Sequence, residues 1–248
     1  MNKFIAYFDF LGFKDFILNN DIEYQNQIMN NIFRDIESSL GNGKLIKSQK
    51  GLISDISESR INCINFSDTI IFWTNDNTIE SLKEITEVAY KFNWQAINLF
   101  FPVRGALFYG EIIHADHRQN NVGGGKYNIN SVFGRGIVEA HIKAESQDWA
   151  GSVIDQSVIN FLIENNIEPT LFLSDYAKQY KIPYKTGITV KNNEFAFRLV
   201  KGNLNEEAHK NLKNSIKRNF GDHKKDISEP SVKIKLENTL EYIKSFII

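Results

Sequence analysis

The chain holds a single cysteine, Cys63, in 248 residues, so an internal disulfide and a cysteine-built metal centre are both excluded. Cys63 stands in an apolar run and reads as core packing. No stretch approaches the ~20 apolar residues of a membrane span. Met1-Asn2-Lys3 leads into a short apolar run that Asp9 breaks, which is not a signal-peptide pattern, and a cytoplasmic protein is expected. There is no excess of charge of one sign: Lys and Arg total 29 against 30 Asp and Glu. Bulk binding to nucleic acid is therefore not expected. Internal repeats and low-complexity segments are absent. The glycines at 123–125 precede Lys126, but Tyr127 follows, so the G-x-x-x-x-G-K-[ST] phosphate loop is missing and a flap over 116–130 is the expectation. His114 and His117 lack a regular helical metal spacing or a cysteine partner. No Ser/His/Asp arrangement has local support.

What is present is ordinary globular material: 42% hydrophobic and 24% charged residues, enough for one large domain or a domain with an appendage. Residues 1–202 read as the domain, and 203–248 as a helical extension packed on it. Phe4 to Phe8 is a strand apolar on both faces, hence central in a sheet, and Asp9 ends it. Gly12 in the following turn lets the backbone approach a ligand. Residues 14–20 are short and mixed. Helical spacing runs from Ile22 to Leu40 and again from Thr78 to Phe100. Between them, 45–59 reads as an irregular surface excursion. The stretch 60–74, RINCINFSDTIIFWT, is two apolar runs split by Ser67-Asp68, a hairpin with a carboxylate at its tip. Further strands are expected at 103–109, continuing to His114, then at 151–154 and 194–200. Helices are expected at 131–147, 155–164, 206–220 and 232–246, with 168–193 irregular. The β-α-β-β-α-β order predicts an α+β chain with a ferredoxin-like core.

Two aspartates at the ends of neighbouring strands, Asp9 and Asp68, can hold a pair of divalent cations over a triphosphate. Each also has a bland reading, Asp9 as a helix cap or turn residue and Asp68 as an ordinary turn aspartate. Backbone amides from Leu11 to Phe13 offer a cradle for the phosphates.

The segments FDFLGF, NFSDTIIF, VRGALFYGE and FGRGIVEA, in that order over roughly residues 3 to 155, resemble the class III nucleotidyl cyclases. The resemblance implies that Asp9, the carbonyl of Phe10, and Asp68 bind two Mn²⁺ or Mg²⁺ ions. It implies that Phe10, Leu11, Gly12 and Phe13 lie against the substrate, a nucleoside triphosphate. It also implies a homodimer with sites at the subunit interface. Departures from the family pattern fall on base recognition and on the transition state. Ile64 stands where purine cyclases often have lysine, and Ser131 where they have aspartate or threonine. The helix that carries an asparagine and an arginine in the family reads Gly134, Ile137, Val138, Ala140 and Ile142 here, without either. Either the domain is inactive, or another cation and another base are used. Arg104, Arg135 and Lys143 are the candidate cations, with Arg104 favoured for its place on a core strand. Phe66, Phe10 and Tyr7 are candidates for filling a purine-sized pocket around a smaller base. Together with Ala140, Glu145, Ser146, Trp149 and Gly151, these departures are most similar to the bacterial pyrimidine cyclases of the Pycsar antiphage system. That likeness implies cyclic UMP or cyclic CMP as product, read by a separate effector. A non-catalytic nucleotide-binding or dimerisation module, a purine cyclase, and a diguanylate cyclase relative remain as alternatives. The last would need a glycine-rich acidic turn that Asn65-Phe66-Ser67-Asp68 lacks.

Overall fold

The computed structural model describes every residue except 50 and 189–191, and of Phe100 only the backbone. Its centre is β1, Asn2–Phe10, flanked by two antiparallel neighbours, β5 (Thr69–Trp73) and β6 (Val103–Glu111). β4 (Asn62–Phe66) pairs with β5 across the hairpin. These four strands lie in the order β6-β1-β5-β4 with every neighbour antiparallel, the arrangement of a ferredoxin-like core. Two helices link them on one face: α2 (Ile22–Leu40) and α3 (Ile79–Gln95). Both begin as their sequences direct. Asp21 accepts a hydrogen bond from the Tyr24 amide, and Thr78 from that of Ser81. The sheet continues past β6 with β9 (Gly151–Ile154, parallel to β6), β11 (Glu194–Phe197) and β10 (Ala177–Tyr180). Helix α5 (Gln156–Glu164) leaves β9 from a cap in which Asp155 accepts from the Ser157 amide.

Alternation along β1 divides the protein into two unequal cores. Phe4, Ala6, Phe8 and Phe10 point into the large one; Ile5 and Tyr7 point into the small one with Ile71, Trp73 and Phe108. Aromatic rings fill the large core beneath the end of β1. Phe8 meets Phe92 edge-on at 4.9 Å, and Phe10 meets Phe101 at 5.2 Å. Each such pair adds about 0.5–1.5 kcal/mol beyond its buried area. The small core is covered mainly by α4 (Arg135–Glu145), through Ala140 and Ala144, with Val132 at its edge. Gly134 and Gly136 let that helix start hard against β6. A Cβ at either would lie within 2.8 Å of the Glu111 carbonyl oxygen.

The two largest differences from the sequence reading share one cause. Residues 45–59 contain a hairpin, β2 (Leu45–Ser48) with β3 (Gly51–Ser54). The expected flap over 116–130 is mostly a ribbon, β7 (Ile113–Asn120) with β8 (Lys126–Phe133), paired from Ile113–Phe133 to Asn120–Lys126. Both hairpins are largely exposed, so neither shows the apolar alternation that marks a half-buried strand. Ser131 therefore belongs to β8, and the helix expected from 131 begins at Arg135. Residues 14–20 fall mostly in a short helix, α1 (Phe13–Asn19), and the helix predicted to Phe100 changes at Ala96 to a π-helical turn. The irregular stretch 168–193 holds α6 (Pro169–Leu173) and β10; residues 189–191 of it lie outside those described. α7 (Glu206–Gly221) and α8 (Pro230–Lys244) close the chain, with Ile216, Phe220, Tyr242 and Ile243 in the large core. Among the described residues, no helix is long and apolar enough to cross a membrane.

Asp35, buried on α2, is a liability of this packing: burial raises its carboxyl from 3.8 to about 7. A raised acid favours the folded state while protonated. Wild-type stability at this position is therefore intact below about 3.8 and lost as pH rises to about 7. Asp35→Asn should raise the melting temperature, by a gain on the order of 2 kcal/mol at pH 8 and much less at pH 5, as read by thermal melts at the two pH values.

Candidate active site

Asp9 stands one residue from the end of the central strand, where most neighbours are apolar. Its register partners are Thr69 on β5 and Arg104 on β6. Arg104 answers it directly. Its Nε and Nη2 both donate to Oδ2 of Asp9, at 2.9 and 2.8 Å, and Nη2 also donates to Glu145 on α4. The Arg104 and Asp9 side chains are 11% and 15% exposed, so this is close to a buried ion pair. Lys185 closes the chain of charges, 3.3 Å from Glu145. Burial pushes the Asp9 carboxyl above its usual range. Arg104 opposes the shift and the charge of Asp68 adds to it.

Asp68 is carried to the same place by the hairpin turn. Ser67 adopts φ 55°, and the Asp68 carbonyl oxygen accepts from the Phe10 amide at 2.9 Å, which ties the turn to the end of β1. Asp9 and Asp68 line one cavity of about 380 Å³. Phe10, Leu11, Gly12, Phe13 and Arg104 line it too, so seven of the residues singled out in the sequence converge there. The expected cradle of amides is smaller than predicted: the Leu11 amide donates to the Pro102 carbonyl at 2.9 Å. Those of Gly12 and Phe13 have no backbone partner among the described residues. Gly12 takes φ 79°, a left-handed turn that suits glycine.

The other candidates lie elsewhere. Ile64 is half-buried beside the small core, Phe66 is 80% exposed on the hairpin, and Ser131 is exposed on the ribbon. Arg135 is exposed and pairs with Glu139 at 2.8 Å. Lys143 is engaged with Glu194 and Asp155. Glu145, quoted in the sequence only for its spacing, proves to be the second anchor of Arg104. Tyr7, two residues before Asp9 on the same face, bonds through its hydroxyl to Thr69 Oγ1 at 3.3 Å and His141 Nδ1 at 2.9 Å.

The donor set fits hard divalent cations held jointly with a phosphate ligand. Both Arg104 bonds fall on Oδ2, leaving Oδ1 of Asp9 open, and the Asp68 carboxylate accepts no hydrogen bond from the described residues. Among the described residues, no group of three or more His, Cys, Asp or Glu converges, so the chain does not build an all-protein cage. One or two carboxylates with phosphate oxygens is the usual Mg²⁺ pattern.

No protein-family model matches the sequence, and no curated protein does. Solved structures do. The catalytic core of a rhodopsin-guanylyl cyclase with converted specificity, in complex with ATPαS, superposes with a TM-score of 0.51 at 8% identity, over 79% of this chain and 94% of that one. The monomeric guanylyl cyclase domain of the RhoGC fusion protein from the aquatic fungus Blastocladiella emersonii gives 0.49 at 8% identity, over the same shares. The adenylyl cyclase CyaB from P. aeruginosa gives 0.42 at 11% identity, over 80% of this chain and 95% of that one. The first of these establishes the fold: this chain has the α+β architecture of a class III cyclase domain.

Removing Arg104 leaves a carboxylate stranded on the central strand. Arg104→Met should destabilise the protein by about 3 kcal/mol, because the partner left behind remains buried. Glu145→Gln should cost about 1 kcal/mol, since that carboxylate is over a third exposed. Urea denaturation of the two variants checks the order.

Proposed function

We propose that this protein is a nucleotidyl cyclase that converts UTP or CTP to the 3′,5′-cyclic nucleotide and pyrophosphate. The observation that carries this reading is the meeting of Asp9 and Asp68 in the wall of one cavity, on the fold of a class III cyclase, with both Arg104 bonds on a single oxygen of Asp9. Asp9, Asp68 and the Phe10 carbonyl are the groups proposed to hold the metal. Two Mg²⁺ or Mn²⁺ ions bound there would lower the pKa of the 3′-hydroxyl and offset charge on the leaving pyrophosphate. The chain's own residues do the positioning. Arg104 holds Asp9 in place through two hydrogen bonds and opposes the rise that burial gives its carboxyl. The Gly12 and Phe13 amides offer donors at the edge of the cavity. Arg104 is also the proposed transition-state cation, although its two bonds to Asp9 compete with that task. That competition is what favours the second reading, a non-catalytic nucleotide-binding or dimerisation module.

The base is proposed to be read where two copies meet. Ile64 and Ser131 lie away from the cavity, on the sheet face and ribbon that a partner would cover. Exposed apolar side chains mark that side: Phe66 at 80%, Ile142 at 59% and Val138 at 56%. Ile64 offers a base edge no hydrogen bond, and Ser131 offers one hydroxyl. A purine's polar edge left unpaired loses roughly tenfold to a hundredfold per contact. ATP and GTP are therefore expected to be poor substrates. In this reading the cyclic nucleotide is a second messenger in antiphage defence, acting on a separate effector that meets the cyclase only through its product.

With all four nucleotides at equal concentration and Mn²⁺, mass spectrometry should find cyclic UMP or cyclic CMP as the main product. Cyclic AMP or cyclic GMP as the main product would refute base selection, and no cyclic product with any metal would favour the non-catalytic module. Asp68→Asn should lower turnover at least about a hundredfold with the melting temperature unchanged. Light scattering should show a dimer at micromolar concentration, and Ile142→Asp, on an exposed helix face, should shift it to monomer and lower turnover.

A further inference from the structure

The loop between α7 and α8 is held in an unusual shape. His223 and Lys224 are consecutive non-glycine residues with left-handed backbones, φ 65° and 55°. Such conformations persist where the surroundings over-determine them. The surroundings here are the junction of α1 and α2. Asn20 Nδ2 donates to the His223 carbonyl at 2.8 Å, and Asn19 Nδ2 to that of Lys224 at 3.0 Å. The Tyr24 hydroxyl bonds His223 Nδ1 at 2.9 Å, and the imidazole stacks on Phe101 at 5.3 Å. The effect is to place the next residue, Lys225, beneath the turn that follows β1. Its stem occupies the space where a side chain at position 12 would be, for a Cβ on Gly12 would lie 2.8 Å from Lys225 Cδ.

Lys225 lines the Asp9–Asp68 cavity and is 8% exposed. Its Nζ donates to the Asn219 carbonyl at 2.7 Å and lies 4.1 Å from the centre of the Phe101 ring. Both partners are neutral. Asp222 and Asp15 act on it through space, and no carboxylate among the described residues forms an ion pair with it. Of the other cations on the cavity wall, Arg104 is paired with Asp9 and Glu145 and Lys235 with Asp148 at 3.3 Å, while Lys14 is exposed to solvent, so Lys225 is the buried one without a carboxylate partner among the described residues. Burial lowers the Lys225 ammonium from 10.5 to about 7, the mark of a charge without its counter-ion. A buried cation without an anion, on the wall of a cavity beside two amides without backbone partners, fits an anionic ligand.

We propose that Lys225 is a phosphate-binding residue: its ammonium neutralises the terminal phosphates of the bound triphosphate, so the segment beyond residue 202 completes the site. The proposal rests on the cyclase reading for the choice of a triphosphate, and its test does not depend on turnover. The probe is inorganic tripolyphosphate with Mg²⁺, titrated calorimetrically into the full chain. Lys225→Met keeps the stem against Gly12 and Phe101 and removes the charge. Lys210→Met removes an exposed charge on α7 as a control. Wild type and the control should bind alike, and Lys225→Met about tenfold to hundredfold more weakly. Equal affinity of Lys225→Met and wild type, an equal loss in the control, or no binding by wild type would overturn the proposal. In wild type labelled with ¹⁵N-lysine, the Lys225 side-chain resonance should move on saturation. A resonance that stays put overturns the proposal even if Lys225→Met fails to fold. Binding through Lys225 in a protein that makes no cyclic nucleotide would sink the cyclase reading and leave this assignment standing.

Discussion

A carboxylate on the central strand of a sheet is the constraint around which this structure is arranged. Asp9 stands near the end of a strand whose side chains from Phe4 to Phe8 are almost wholly buried, and burial raises its carboxyl above the usual range. Arg104, directly across the β1–β6 pair, opposes that shift with its charge and with two hydrogen bonds to Oδ2. The pairing dictates more than charge. Arg104 needs a second acceptor, which α4 supplies with Glu145, so the helix must pack close enough to reach. Gly134 and Gly136 make that approach possible by leaving the space where a Cβ would strike β6. The charge on Asp9 is thus linked, through Arg104 and Glu145, to the close packing of α4 on β6 that the two glycines allow.

Much of this was legible in the sequence because it is written in apolar periodicity. β1, the 60–74 hairpin, α2 and β9 all carry it, and α2 and β9 fall on the expected residues. Asp9 and Asp68 were legible for the same reason: each is a carboxylate interrupting an apolar strand pair, which is unusual enough to notice. What escaped notice follows another rule. The ribbons β2–β3 and β7–β8 are held by backbone bonds and bury almost nothing, so no side-chain pattern announces them. Glu145 and Lys225 reach the cavity from a helix and a loop distant in sequence, and no local spacing signals a contact of that kind. Leu11 shows the same limit at the level of the backbone, since its amide is taken by Pro102, a partner 91 residues away.

The two faces of the sheet divide stability from function. One face carries α2, α3, α5, α7 and α8 over a core of interlocked aromatics, and this side supplies most of the buried apolar area. The other is covered mainly by α4, with Val132 of β8 at the edge of a small cluster, and Phe66 on the hairpin is left exposed. A face so thinly covered contributes little to holding the fold, which frees it to carry polar and charged groups that a full core would not tolerate. Tyr7, Asp9 and Arg104 all point to that side. The division also explains the role of the C-terminal helices. They thicken the stable face, and the loop between them passes under the end of β1, where His223 stacks on the same Phe101 ring that packs against Phe10. The turn that follows Asp9 is therefore clamped from below by the stable core and open above to the cavity. This is the condition a site needs if its carboxylates are to keep their geometry while a ligand binds and leaves.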